Sequence, residues 1–217
     1  MDFEQARFNM VEQQIRPWEV LDPKVLDLLS KVRREDFVPQ VYRSLAFVDM
    51  EIPLGHGESM WAPKIEARVL QSLQLKPHDR VLEVGTGSGY LTALLASQAG
   101  VVVSVELHAD LKAEAEKKFQ AHGLANIQSR LGDAARDWAD DGAFDVIVLT
   151  GSTPLLPEAY TRRLTPGGRL FAFLGEGAIM SARLVTCVTA GAYRHDSLFE
   201  SRVKPLVNAL EPERFEF

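Results

Sequence analysis

The sequence predicts an α/β protein built on a mostly parallel sheet. Two observations carry that prediction. From Arg80 onward, short β-rich runs alternate with helical patterns, and the first run enters three alternating glycines before its helix begins. Strand–helix alternation at this spacing builds βαβ units, with right-handed crossovers and parallel strands.

Before that core, residues 2–15 place Phe3, Ala6, Met10, Val11 and Ile15 at helical spacing, and Pro17 stops the pattern. Asp22-Pro23 starts a second helix, the acid as N-cap and the proline in the first turn. Residues 35–63 read as loop-rich, and a third helix follows Pro63 with Ile65, Val69, Leu70 and Leu73 inward. Strands are expected at Val81–Val84, Val101–Glu106, Ile127–Leu131, Phe144–Leu149 and Arg169–Leu174, with helices near 90–98, 109–122 and 157–164. Ala182–Thr189 and Tyr193–Val203 read as an antiparallel pair closing the sheet. Residues 1–217 are expected to form one domain, with 1–62 a helical cover and loop and 63–217 the α/β core.

Composition narrows the function. With 46% hydrophobic and 25% charged residues, the chain suits a soluble domain with a substantial core. A net charge of −6 argues against a nucleic-acid-binding surface, which needs a basic face. No apolar run approaches the roughly 18 residues of a membrane span. The opening MDFEQARFNM lacks the apolar centre of a signal peptide, so a cytoplasmic location is expected. The lone Cys187 reads as a small buried hydrophobe. Histidines at 56, 78, 108, 122 and 195 have no metal-site spacing, and no metal is expected. Trp18 and Trp138 have no motif around them.

The glycine loop is the most informative stretch. Strand Val81–Val84 runs into Gly85-Thr86-Gly87-Ser88-Gly89, and Tyr90-Leu91 opens a helix. Glycines let a ligand approach the backbone, and a helix N-terminus offers free N–H groups. A dinucleotide fingerprint G-x-G-x-x-G would place its last glycine where Tyr90 stands. G-x-G-x-G after Leu-Glu-Val resembles instead the first motif of S-adenosylmethionine-dependent methyltransferases. On that reading Gly85, Thr86, Gly87 and Gly89 cradle the cofactor, and Glu106, followed by Leu107, ends the second strand to receive the ribose hydroxyls. Asp133, preceded by Gly132, ends the third strand and accepts from the adenine amino group. Glu83 helps to hold the methionine ammonium through water or backbone.

Further segments narrow the resemblance. Phe37-Val38-Pro39, Pro53-Leu54-Gly55-His56-Gly57, Leu73–Arg80, Phe144–Val148 and Leu164-Thr165-Pro166-Gly167-Gly168-Arg169-Leu170 together resemble the protein-L-isoaspartate O-methyltransferases from about residue 10 to 175. The resemblance implies a Rossmann-like class I S-adenosylmethionine-dependent methyltransferase fold: a seven-stranded, mostly parallel sheet with an N-terminal helical extension. It also implies S-adenosylmethionine as donor, S-adenosylhomocysteine as product, and a damaged protein or peptide as substrate, methylated on the α-carboxyl of an isoaspartyl residue for repair.

The chain departs from this family where the substrate should lie. The family loop reads Gly-x-Gly-Gln-Thr-Ile-Ser-Gln-Pro, and its serine has the active-site role. Here Gly57-Glu58-Ser59-Met60-Trp61-Ala62-Pro63 puts Trp61 at that position and Ser59 at the threonine. An indole N–H donates but cannot accept. Trp61 is therefore either a flat wall of a changed pocket or a packing residue, and Ser59 is the remaining catalytic candidate. His56, Met60, Trp61, Thr150 and Ser152 are the expected substrate-pocket residues. Two alternatives stay open: an enzyme of the same fold acting on a small molecule, and a non-catalytic cofactor-binding protein.

Overall fold

The computed structural model describes residues 2–138 and 142–212. Helix α1 (Phe3–Met10) is capped by Asp2, whose carboxylate accepts from the N–H groups of Glu4 and Gln5 at 3.1 Å. It continues through a wider π turn, Val11–Ile15, and closes as a 3-10 turn, Arg16–Trp18, around Pro17. Helix α2 (Pro23–Lys31) starts as expected, with Asp22 accepting from Lys24 N–H at 2.9 Å.

The stretch read as loop holds more order. Two 3-10 turns, Arg34–Asp36 and Gln40–Leu45, lead into a hairpin of β1 (Ile52–Gly55) and β2 (Glu58–Met60). At its turn His56 and Gly57 have φ of 52° and 72°, a left-handed pair whose twist suits a tight hairpin. Strands of three or four residues carry too little alternation to be seen in sequence. Helix α3 (Pro63–Leu73) follows, with Pro63 in its first turn.

The core then alternates as predicted: β3 (Arg80–Val84), α4 (Tyr90–Ala96), β4 (Val101–Glu106), α5 (Ala109–Ala121), β5 (Ile127–Leu131), β6 (Phe144–Thr153), α6 (Glu158–Arg162), β7 (Leu164–Leu174), β8 (Met180–Thr189) and β9 (Ala192–Ser201). The seven-stranded sheet has the order β5-β4-β3-β6-β7-β8-β9. Strands β3 to β7 are parallel, and β8 and β9 are added antiparallel. Two strands outrun their expected limits. β6 crosses an irregularity after Val148 and regains register at Ser152, opposite Phe173. β7 starts at Leu164, ahead of the Pro-Gly-Gly turn that was expected to precede it.

Both faces of the sheet are covered. Val81, Val146, Phe171 and Phe173 join a core with α3, α4 and the N-terminal helices, while Leu82, Ile147, Leu170 and Ala172 pack on the other side with Tyr160. Central strands therefore read as continuous apolar runs. The chain leaves β3 toward β5 and then returns to β6 on the other side. This reversal opens a crevice at the carboxyl ends of β3 and β6, where ligands of such sheets bind.

One buried cation ties the N-terminal segments to this crevice. Arg34 is fully buried. Its Nε donates to Ala46 O at 2.8 Å, its Nη2 to Trp61 O at 2.6 Å, and its Nη1 to Glu66 Oε2. The guanidinium carbon lies 5.0 Å from the centre of the Tyr90 ring. Replacing Arg34 by Met strands two carbonyls and a buried carboxylate. Urea denaturation of Arg34→Met is expected to show a loss of about 3–5 kcal/mol. A loss below about 1 kcal/mol would refute the hub role, since that is the worth of a surface pair.

Candidate active site

A cleft open to solvent on one side lies at the ends of β3, β4, β5 and β6, about 940 Å³ counting the space at its mouth. Its walls come from the hairpin (Glu58, Ser59, Met60), from Trp61 and Glu66, from the glycine loop, and from the strand-end residues Glu106–His108 and Gly132–Ala135. Thr150, Gly151 and Lys204–Val207 complete it.

The glycine loop follows from steric limits. Gly85 has φ +97°, and a Cβ there would lie 2.2 Å from Thr150 Oγ1. That hydroxyl needs the space because it donates to Val84 O at 2.7 Å and Gly85 O at 2.9 Å. Gly87 presents its N–H to Glu106 Oε2 at 2.8 Å, and His108 N–H reaches Glu106 Oε1 at 3.0 Å. The Glu106 carboxylate is thus fixed by two backbone donors, with lone pairs left facing the cleft. Asp133 is fixed similarly, accepting from Ala135 N–H at 3.0 Å and from Asn208 Nδ2 at 2.7 Å.

Of the expected cofactor residues, Gly85, Thr86, Gly87, Glu106, Leu107, Gly132 and Asp133 line the cleft, and Glu83 and Gly89 do not. Glu83 is fully buried beneath the loop, where its Oε2 accepts from Thr92 Oγ1 and Ser104 Oγ at 2.6 Å. Burial pushes its carboxyl up to about 8 against those two hydrogen bonds. Its other oxygen is buried without a partner among the described residues. Gly89 serves packing. It sits at φ +83° before α4, and a Cβ would meet the Phe119 ring at 2.7 Å.

Among the expected substrate residues, Ser59, Met60, Trp61 and Thr150 line the cleft. Ser152 does not. It is fully buried, and its Oγ donates to Val203 O at 3.3 Å, fastening β6 to the C-terminal segment. The β6 extension, invisible in sequence, turns this hydroxyl away from solvent. His56 also lies off the wall. Its ring stacks on His108 at 4.1 Å, and its Nε2 meets the Asp110 carboxylate at 2.9 Å, which holds that acid below its usual range. Trp61 meets both sequence readings at once. It borders the cleft, yet only 7% is exposed and its ring stands edge-on to Phe173 at 5.5 Å. Ser59 Oγ donates to Glu51 Oε2 at 2.9 Å.

Sequence reasoning missed Glu66 and His108, which both line the cleft. The signal for Glu66 was available: it lies three and four residues before Val69 and Leu70, an acid on the apolar stripe of α3. Lys204 pairs with Glu58 across the cleft mouth, joining the C-terminal segment to the hairpin. No cluster of potential metal ligands occurs among the described residues. No helix there is long and apolar enough to cross a membrane.

Residues 5–208 match the sequence profile of the family described as protein-L-isoaspartate(D-aspartate) O-methyltransferase. The chain belongs to that family. A protein-L-isoaspartate O-methyltransferase 1 of Rhodopseudomonas palustris (strain HaA2) is 39% identical over 208 residues, spanning 94% of this chain and 84% of its own. A protein-L-isoaspartate O-methyltransferase 2 of Marinobacter nauticus is 34% identical over 207 residues, spanning 95% and 94%. A Plasmodium falciparum structure, described as a protein-L-isoaspartate O-methyltransferase in complex with S-adenosyl-L-homocysteine, superposes with a TM-score of 0.78 at 20% identity, over 95% of this chain and 99% of that one. In the isoaspartate methyltransferase fold of this chain, the glycines divide by role, and stability separates them. Gly89→Ala is expected to cost about 2–3 kcal/mol from crowding and positive φ together. Gly123→Ala, at φ +67° with nothing within 4 Å, should cost about 1 kcal/mol from φ alone. Equal losses in chemical denaturation would contradict the packing role of Gly89.

Proposed function

We propose that this chain binds S-adenosylmethionine in the cleft and transfers its methyl group to a carboxylate, the acceptor being the α-carboxyl of an isoaspartyl residue in a damaged protein. The observation that carries the cofactor half is Glu106. Its carboxylate is locked by Gly87 and His108 N–H groups and faced into the cleft, the arrangement a ribose diol requires. The residues present fit the cofactor. Gly87 holds φ +53°, a conformation L side chains rarely adopt, and this turns its N–H to the Glu106 carboxylate at the cleft. Asp133 supplies an acceptor at the far end for the adenine amino group. When bound, the cofactor supplies an electrophilic methyl on a sulfonium.

The protein's part is placement. A carboxylate acceptor is ionised at neutral pH, so no strong base is needed. The gain comes from holding nucleophile, methyl and sulfur in line. In this reading Ser59 positions the acceptor. Glu51 takes the Ser59 hydroxyl proton in a hydrogen bond, leaving Oγ lone pairs to accept from an amide N–H of the substrate. Met60, Trp61 and Thr150 border the same space. Trp61 supports a second reading, a small planar or apolar acceptor in a pocket too filled for a peptide. The reaction consumes a cation and an anion and needs no metal ligand set. The cytoplasm suits this reading.

Labelled S-adenosylmethionine with an isoaspartyl peptide, and the aspartyl peptide as control, is expected to yield volatile methyl ester from the former only. No ester at high enzyme concentration, with cofactor binding intact, would leave the small-molecule reading. Trp61→Ser should then raise peptide methylation at least tenfold if Trp61 is the obstacle. For the cofactor half, Glu106→Ala is expected to weaken S-adenosylhomocysteine by about ten- to hundredfold in calorimetry. Unchanged affinity would remove Glu106 from the site.

A further inference from the structure

Glu83 is expected from its motif to help hold the methionine ammonium through water or backbone, and the structure seals it beneath the loop, off the cleft wall. An ammonium in this cleft needs an acceptor of negative charge, because a buried, unpaired charge is costly. Four carboxylates line the cleft: Glu58, Glu66, Glu106 and Asp133. Glu58 stands at the rim, engaged by Lys204. Both oxygens of Glu106 accept backbone N–H groups, and both of Asp133 accept from Ala135 and Asn208. Those two acids also occupy the ribose and adenine ends.

Glu66 is the remaining acid, and it stands at the remaining end. It projects from the first turn of α3 onto the cleft floor, beside Trp61 and the start of the glycine loop. Its carboxyl is near enough to Glu83 for the two charges to act on each other. Among the described residues, Arg34 is the one hydrogen-bond partner of the Glu66 carboxylate, and it holds Oε2. The guanidinium that fixes Oε2 also fixes the Trp61 carbonyl, so the floor acid and the wall aromatic are set by one group. Burial pushes the Glu66 carboxyl up, Arg34 opposes that shift, and a bound ammonium adds a second positive charge that favours the ionised form.

We infer that Glu66, through Oε1, receives the α-ammonium of the cofactor and so fixes the methionine end on the cleft floor. The inference rests on the cofactor reading above. It makes Glu66 a cofactor-selecting residue: the site favours ligands with an amino group over the same thioether nucleosides without one. Toward the ammonium, Arg34 acts through Glu66, as a positioning residue.

The test compares two ligands on two proteins by calorimetry: S-adenosylhomocysteine and its deaminated analogue, each on wild type and on Glu66→Gln. Gln keeps its one oxygen for Arg34 and turns an amide N–H donor toward the ammonium. The expected result is an affinity loss for S-adenosylhomocysteine of about ten- to hundredfold and a change in the analogue of less than about threefold. Retained analogue binding also certifies the fold of the variant. An equal loss for both ligands, or no loss for either, overturns the role of Glu66. If wild type binds neither ligand, the cofactor reading falls as well, which is a separable outcome. Should Glu66→Gln not fold, Glu66→Asp keeps a charge beside Arg34 and draws the second carboxylate oxygen back from the cleft by one methylene. The same selective loss is expected there, and a uniform loss refutes it.

Discussion

The buried guanidinium of Arg34 is the constraint on which the rest of the site depends. It is supplied by a short turn in the N-terminal cover, yet its three hydrogen bonds reach Ala46, Trp61 and Glu66, and its face covers the Tyr90 ring. Planarity is what makes this work. A guanidinium directs its donors along fixed lines, so the carbonyls and carboxylate must come to it. The cover, the segment before α3, α3 itself and the first residue of α4 are thereby brought to one point. A lysine there would have kept the charge and lost the geometry.

A second consequence concerns cost. Burying a charge is unfavourable by several kcal/mol unless it is paired and hydrogen-bonded. Of the hydrogen-bond partners of Arg34, Trp61 and Glu66 line the cleft, and Ala46 belongs to the cover. Conformational entropy of those loop segments is lost on folding in any case, and one fixed cation orders several of them at once. Lys118 repeats the device more modestly. Burial lowers its pKa to about 8, and its ammonium donates to Phe37 O at 2.8 Å and Ser88 O at 3.1 Å, joining the cover to the glycine loop.

The parts of this chain that could be read in sequence are those with local causes. The βαβ alternation, the Asp22-Pro23 start of α2 and the antiparallel β8–β9 ending depend on periodicity and capping, which neighbours in sequence express. So do the glycine loop and the acids at the ends of β4 and β5. The hairpin at 52–60 was not legible, because its strands are too short to show a period. Ser152 was misjudged for a related reason: an irregularity within β6 carries the strand past Leu149 and buries a residue that looked like loop. Glu66 was hidden by an assumption about residue type. Its spacing placed it on the apolar stripe of α3, but only a cation 32 residues earlier explains why an acid is tolerated there. Long-range pairing of this kind leaves no mark in a local window.

The cleft is bounded by two kinds of charge contact. On the floor, Arg34 and Glu66 are sealed from water. At the mouth, the hairpin is fastened by Glu58 to Lys204, and these two side chains are 25% and 38% exposed. Dissolved ions screen exposed pairs over about 8 Å at physiological ionic strength and reach sealed pairs far less. The two boundaries therefore answer to different solvents. Salt acts on the contact that fastens the hairpin, while the geometry beneath it keeps its shape.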